Sequence, residues 1–133
     1  DGEVNIAGLH LLLAEDNELN AEIARTLLED EGAITTIVND GQQAVDIFSR
    51  NKPGTFDAIL MDIMMPEMDG LSATKAIRAL DREDAGTIPI IAMTANAFDE
   101  DEKKCMEAGM NAHLVKPLDI QKMKEAVCRY LNK

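Results

Sequence analysis

The chain has 133 residues, enough for one domain with a real core, and 46% of them are hydrophobic but only 3% aromatic. That core must therefore be built from Leu, Ile, Val, Met and Ala. Twenty-five acidic against thirteen basic side chains leave a net charge of −12, which repels nucleic-acid backbone and anionic membrane and argues against both as direct partners. Solubility is the plain reason for such a charge. Cys105 and Cys128 are too few and too far apart for a disulfide framework or a zinc site. Both fall on helix-like stretches, and reduced, partly buried thiols of a cytoplasmic protein are expected. No apolar stretch approaches the roughly 20 residues that span a bilayer, and no signal peptide is visible. The chain starts at Asp1 rather than Met, as a segment cut from a longer protein would.

In chain order, strand and helix alternate five times. His10 to Ala14 is a short apolar run that reads as a buried strand. Leu19, Ile23, Ala24, Leu27 and Leu28 then recur at helical spacing, with Asn17 as N-cap and Gly32 as the stop. Ile34 to Val38 is β-branched enough to be the second strand. A helix follows Asp40-Gly41, turns Ala44, Val45 and Phe48 inward, and ends near Asn51-Lys52-Pro53-Gly54. The third strand is expected over 57–61. The third helix opens after Pro66-Glu67-Met68-Asp69-Gly70 and buries Leu71, Ala73, Thr74 and Ile77. The charged loop 81–87 is expected to be a mobile surface segment. Ile90 to Met93 is the fourth strand, and a helix starts near Phe98 with four acidic residues in its first turn. Gly109 caps that helix. The fifth strand, Ala112 to Val115, precedes a last helix burying Ile120, Met123, Val127 and Leu131. No repeat, low-complexity tract or linker divides the chain, so 1–133 is one domain with its core over about 8–132.

Strict alternation with right-handed crossovers gives a parallel sheet with helices on both faces. Five strands are too few for a closed eight-stranded barrel, so the sheet is open and doubly wound. In such sheets function gathers at the carboxyl ends of the strands. Four strands end there in residues that can handle a phosphoryl group: Glu15-Asp16, Asp62, Thr94 and Lys116. A carboxylate can attack phosphorus to give an acyl phosphate, and Asp62 is the candidate nucleophile. Its charge repels the incoming group, and a hard divalent cation solves this. Mg²⁺ prefers one or two carboxylates plus water and phosphoryl oxygens. Asp16 and Asp62 are the candidate direct ligands, with Glu15 acting through water. Lys116 and Thr94 can bond the remaining phosphoryl oxygens. Taken singly, each has a plainer reading as a cap, a turn former or a surface lysine. Carboxylates gathered at one rim, however, destabilise a fold unless something uses them.

These residues carry a resemblance. Leu12 to Asn17, Leu60 to Gly70, Ile90 to Ala95 and Ala108 to Pro117 together resemble the receiver domain of two-component response regulators, over nearly the full length from His10 to Leu131. The fold this implies is flavodoxin-like, with strand order 2-1-3-4-5. The resemblance further implies that Asp62 is phosphorylated from a partner's phosphohistidine, with Mg²⁺ held by Asp16, Asp62 and the backbone carbonyl of Met64. Glu15 then supports the metal, while Thr94 and Lys116 sense the phosphoryl group. A cis peptide bond before Pro117 is also implied. Such domains usually carry Tyr or Phe three residues before the lysine, as a switch that follows the threonine. Here that position is His113, either a switch coupled to Thr94 or a half-exposed side chain on an edge strand.

Glu15 to Asn20 resembles the form found in receivers of hybrid histidine kinases. The expected partners are therefore a histidine kinase phosphodonor domain and a histidine-containing phosphotransfer domain, with this domain monomeric or a weak dimer. It would lie in the cytoplasm, as part of a membrane-bound sensor kinase or apart from one. Met64 and Asn96 border the path of an attacking water; Met64 offers no base and Asn96 a poor one, so a long-lived acyl phosphate is expected. The alternatives are a stand-alone or truncated response regulator, or a Mg²⁺-dependent phosphatase with an Asp nucleophile. The phosphatase needs an acid/base two residues beyond the nucleophile, where Met64 stands. A flavin carrier of similar topology would need Ser, Thr and Gly after the first strand, where Glu15-Asp16 repels a phosphate.

Overall fold

A computed structural model describes residues 5–95 and 99–131. The elements run β1 (His10–Ala14), α1 (Glu18–Asp30), β2 (Ile34–Val38), α2 (Gly41–Arg50), β3 (Ala58–Asp62), α3 (Gly70–Arg78), β4 (Ile90–Thr94), α4 (Asp99–Ala108), β5 (Ala112–Val115) and α5 (Ile120–Leu131). All five strands pair in parallel in the order β2-β1-β3-β4-β5, the doubly wound architecture expected. Three helices begin as the sequence dictates: Asn17, Asp40 and Asp69 each accept a hydrogen bond from the backbone N–H three residues on, at 2.9, 2.8 and 2.8 Å. Gly109, at φ +111°, follows the end of α4. The expected start of that helix at Phe98, and Asn96, lie outside the described residues.

Strand periodicity divides the core in two. Leu12, Ala14, Ile59, Met61, Ile90 and Ala92 point to one face, where α2, α3 and α4 bring Ala44, Phe48, Ala73, Ile77 and Cys105. Leu11, Leu13, Leu60, Ile91 and Met93 point to the other, under Ala24 and Leu28 of α1 and Met123 and Val127 of α5. Burying each large aliphatic side chain contributes about 1.5–3 kcal/mol. The two layers bury the central strands β1, β3 and β4 from both sides, which is why these read as continuous apolar runs.

Three expectations change. Leu19 and Ile23 share the helical spacing of α1 but are 69% and 48% exposed. The stripe that faces the sheet is Ala21, Ala24 and Leu28, and the helix carries more apolar positions than that stripe can hold. The third strand is shifted by one residue, to 58–62. Asp57 precedes it and accepts from the His10 N–H at 2.8 Å, so the strand ends on the buried Asp62. The loop 81–87 is tied down rather than free. The Arg82 guanidinium lies 4.3 Å from the centre of the Phe48 ring, donates to the Phe48 carbonyl at 2.6 Å and pairs with Asp84 at 2.7 Å. Asp84 also accepts from the Gly54 N–H. Burial alone would raise its carboxyl, but the bonds from Arg82 and Gly54 together hold it below the ordinary range. Arg78 of α3 completes the anchoring, donating to the carbonyls of Ala85 and Gly109 and to the Asn111 side chain, each at 3.0 Å.

Candidate functional site

The carboxyl rim of the sheet brings Glu15, Asp16, Asp62 and Lys116 together. Glu15 follows β1; its N–H donates to the Val38 carbonyl at 3.0 Å, so the β2 pairing sets its backbone. Its side chain turns inward and is 3% exposed, with one oxygen accepting from the Asn17 N–H at 3.1 Å and the other from Lys116 Nζ at 3.0 Å. Asp62 closes β3 and accepts from the same Nζ at 3.2 Å. Asp16 is exposed, and one oxygen from each of the three carboxyl groups lies within 4.8 Å of the others. That spacing and an all-oxygen donor set fit a hard divalent cation, with the open Asp16 side left for water.

The electrostatics follow from this crowding. Burial pushes the Glu15 carboxyl above its ordinary value, and the Asp62 charge adds to that, while Lys116 and the Asn17 N–H pull the other way. For Lys116, burial acts downward, but its bonds to Glu15 and Asp62 outweigh it and the ammonium is held above the ordinary lysine range. Lys116 stays a cation at the mouth of an acidic cleft. Its own N–H donates to the Thr94 carbonyl at 2.8 Å, which ties the end of β5 to the end of β4. Thr94 is 8% exposed at that end. The Lys116–Pro117 bond is cis, as expected.

Met64 stands two residues beyond Asp62 with its side chain 78% exposed. His113 does not join the cluster. It pairs in register with Ala92 on the outermost strand, half-buried, with Nδ1 3.8 Å from a Glu102 oxygen of α4. Sequence reasoning missed the burial of Glu15 and its direct bond to Lys116, 101 positions away. The one local signal is that Glu15 directly continues a run of four fully buried residues.

An open parallel sheet with an acidic cluster and a lysine on its carboxyl rim defines a class of domain able to hold a cation beside a carboxylate. The response regulator receiver domain family matches residues 11–128, and the chain belongs to it. It is 40% identical over 98% of its length to the hybrid signal transduction histidine kinase I of Dictyostelium discoideum, and 41% identical over 86% to histidine kinase 1 of Arabidopsis thaliana. The chain spans only 8% and 12% of those two proteins. The receiver domain of a sensor histidine kinase from Pseudomonas aeruginosa PAO1, which has a magnesium ion in its active-site cleft, superimposes with a TM-score of 0.84 at 41% identity. That match covers 96% of this chain and all of the other. The chain is thus a receiver domain of a signalling protein. Among the described residues no helix is long and apolar enough to cross a membrane.

If Asp16 is a metal ligand, replacing it by Asn has a signed consequence. The three carboxylates repel one another without a cation, so Asp16→Asn is expected to raise the metal-free melting temperature by about 3–5 °C, equivalent to about 1 kcal/mol. The parent should gain about 2.7 kcal/mol at Mg²⁺ a hundredfold above its dissociation constant, and the variant little. Thermal melts across a Mg²⁺ series check both, and equal gains in parent and variant would remove Asp16 from the ligand set.

Proposed function

We propose that this domain takes a phosphoryl group from a phosphohistidine onto Asp62 and passes it on to a histidine-containing phosphotransfer domain, as the receiver of a hybrid sensor histidine kinase. The observation that carries this is Lys116 Nζ standing between Glu15 and Asp62 at 3.0 and 3.2 Å, with Asp16 closing the acidic cluster. The Asp62 carboxylate attacks phosphorus, the new P–O bond forms and the P–N bond of the donor breaks. The departing imidazole keeps the proton on its other ring nitrogen and leaves neutral, so no general acid is required of this chain. Asp16, Asp62 and the Met64 carbonyl would hold Mg²⁺, with Glu15 bonding through water; when bound, the ion offsets the charge of the transferred group. Lys116 and the Thr94 hydroxyl bond the remaining oxygens of that group. Thr94 then couples to His113 and the face formed by α4, β5 and α5. The neighbour with Mg²⁺ in its cleft and the kinase relatives support this reading. A cytoplasmic setting and a monomer or weak dimer go with it.

The exposed Ile23, which the sheet does not use, gains a role on this reading. Ile23 lines a groove of about 90 Å³ with Asn20, Lys116, Pro117 and Leu118. Lys116 belongs to both groove and site, so an apolar side chain from a helix of the phosphohistidine partner, seated there, would bring the partner's imidazole to Asp62. Ile23→Asp should therefore slow transfer from a phosphorylated histidine phosphotransfer domain by about tenfold or more, while uptake from a small acyl phosphate stays as in the parent. Equal loss with both donors would place the defect in the site, and no loss with either would remove the groove from docking.

A further inference from the structure

The motif Asn39-Asp40-Gly41 has no part in the chemistry above, yet it touches the site from two sides. We propose that the turn from Val38 to Gly41 is a brace that positions the two acid-bearing loops, and that Gly41 is a positioning residue for the reaction. At one end the Val38 carbonyl accepts from the Glu15 N–H at 3.0 Å. At the other the Gly41 N–H donates to the Met68 carbonyl at 2.9 Å, in the loop that follows Asp62. Between them the turn is fixed by its own side chains. Asp40 accepts from the Gln43 N–H, and the Gln43 side chain accepts from the Asn39 N–H, both at 2.8 Å.

Gly41 is required by approach. A Cβ there would stand 2.3 Å from the Met68 carbonyl oxygen, 2.9 Å from its carbon and 3.0 Å from the Ala73 Cβ. Those neighbours are backbone and a buried side chain, so nothing flexible can give way. The loop they belong to has little slack. Met68 N–H donates to the Pro66 carbonyl at 2.6 Å, Glu67 sits at φ +64°, and Gly70 N–H bonds the Ile63 carbonyl at 2.9 Å. At Gly70 a Cβ would lie 2.3 Å from the Asp62 carbonyl oxygen. The 63–69 loop is thus seated on a glycine at each contact, one on its own helix and one on α2. A push at Met68 must be taken up toward Met64 and Asp62, because the Gly70 end cannot move without striking Asp62.

This rests on the reading that Asp16, Asp62 and the Met64 carbonyl hold Mg²⁺. The test is a Mg²⁺ titration of the unphosphorylated protein, followed by amide NMR shifts, on the parent, Gly41→Ala and Phe48→Leu. The last variant weakens the buried face of α2 without adding an atom at the turn. Gly41→Ala is expected to raise the Mg²⁺ dissociation constant about tenfold, as loss of an outer support does at other metal sites. Its metal-free shifts relative to the parent should concentrate between Ile63 and Gly70. Phe48→Leu should lose stability and keep the parent's affinity. If Gly41→Ala does not fold, Asp40→Ala, which frees the turn without bulk, decides: a raised Mg²⁺ dissociation constant supports the brace and an unchanged one overturns it. Unchanged affinity in the folded Gly41 variant, or an equal loss in Phe48→Leu, overturns the brace. A parent that binds no Mg²⁺ at the acidic cluster overturns the metal reading itself, and that result is seen before any variant is made.

Discussion

Asp62→Asn is expected to abolish phosphoryl uptake altogether. The replacement keeps the size and the planar shape of the side chain, so the buried end of β3 should still pack, but an amide has no carboxylate oxygen to attack phosphorus. It also removes one of the three charges at the rim, so the variant should fold at least as well as the parent without metal, which separates lost chemistry from lost structure. The measurement is intact mass after incubation with a small acyl-phosphate donor, with and without Mg²⁺. The parent should gain one phosphoryl group only when Mg²⁺ is present, and Asp62→Asn none under either condition. Asp16→Asn should sit between them, with the acceptor present and uptake slowed. The same adduct on Asp62→Asn would move the acceptor to another residue.

The parts of this molecule that were legible in the sequence are those set by local rules. Four apolar runs end in candidate functional side chains, and because the strands are parallel, chain order alone places those ends at one rim. Asn17, Asp40 and Asp69 announce three helix starts for the same local reason. What the sequence could not show depends on distance in the chain. The exposure of Leu19 and Ile23 depends on which stripe of α1 meets the sheet, and that stripe is filled by Ala21, Ala24 and Leu28. The loop 81–87 reads as free because its anchors, the Phe48 ring and carbonyl and the Gly54 N–H, lie some 30 positions away. Gly41 reads as an ordinary residue after a helix cap, since the carbonyl that forbids a side chain there belongs to Met68. His113 could be seen to differ from its family and to sit on the edge strand, but only the structure sets it beside Glu102.

Lys116→Met should be among the most destabilising changes at the rim when metal is absent, and the metal should reverse it. Lys116 Nζ holds Glu15 and Asp62, which are 3% and 5% exposed, and is the cation bonded to both. Methionine keeps much of the stem and its packing but leaves two buried carboxylates unpaired beside Asp16. Removing one partner from a buried pair typically costs about 3–5 kcal/mol, and the open Asp16 side of the cleft argues for the lower end. The loss should depend on pH in a definite direction. Burial already raises the Glu15 carboxyl in the parent, against the pull of Lys116, so without the lysine it rises further. A carboxyl raised in the folded state favours the fold when protonated. The deficit of the variant should therefore be smallest below pH 4.5, the ordinary glutamate value, and grow to its full size as pH climbs through the raised one. In the parent the lysine pairing persists up to alkaline pH and is lost only as pH rises through the raised Lys116 value. Denaturant unfolding of parent and variant across this range, each with and without Mg²⁺, gives the difference directly. Saturating Mg²⁺ should close most of the gap at neutral pH, because a divalent cation supplies the charge the lysine no longer does. A deficit equal at every pH and indifferent to Mg²⁺ would mean that Lys116 serves the fold through its aliphatic stem.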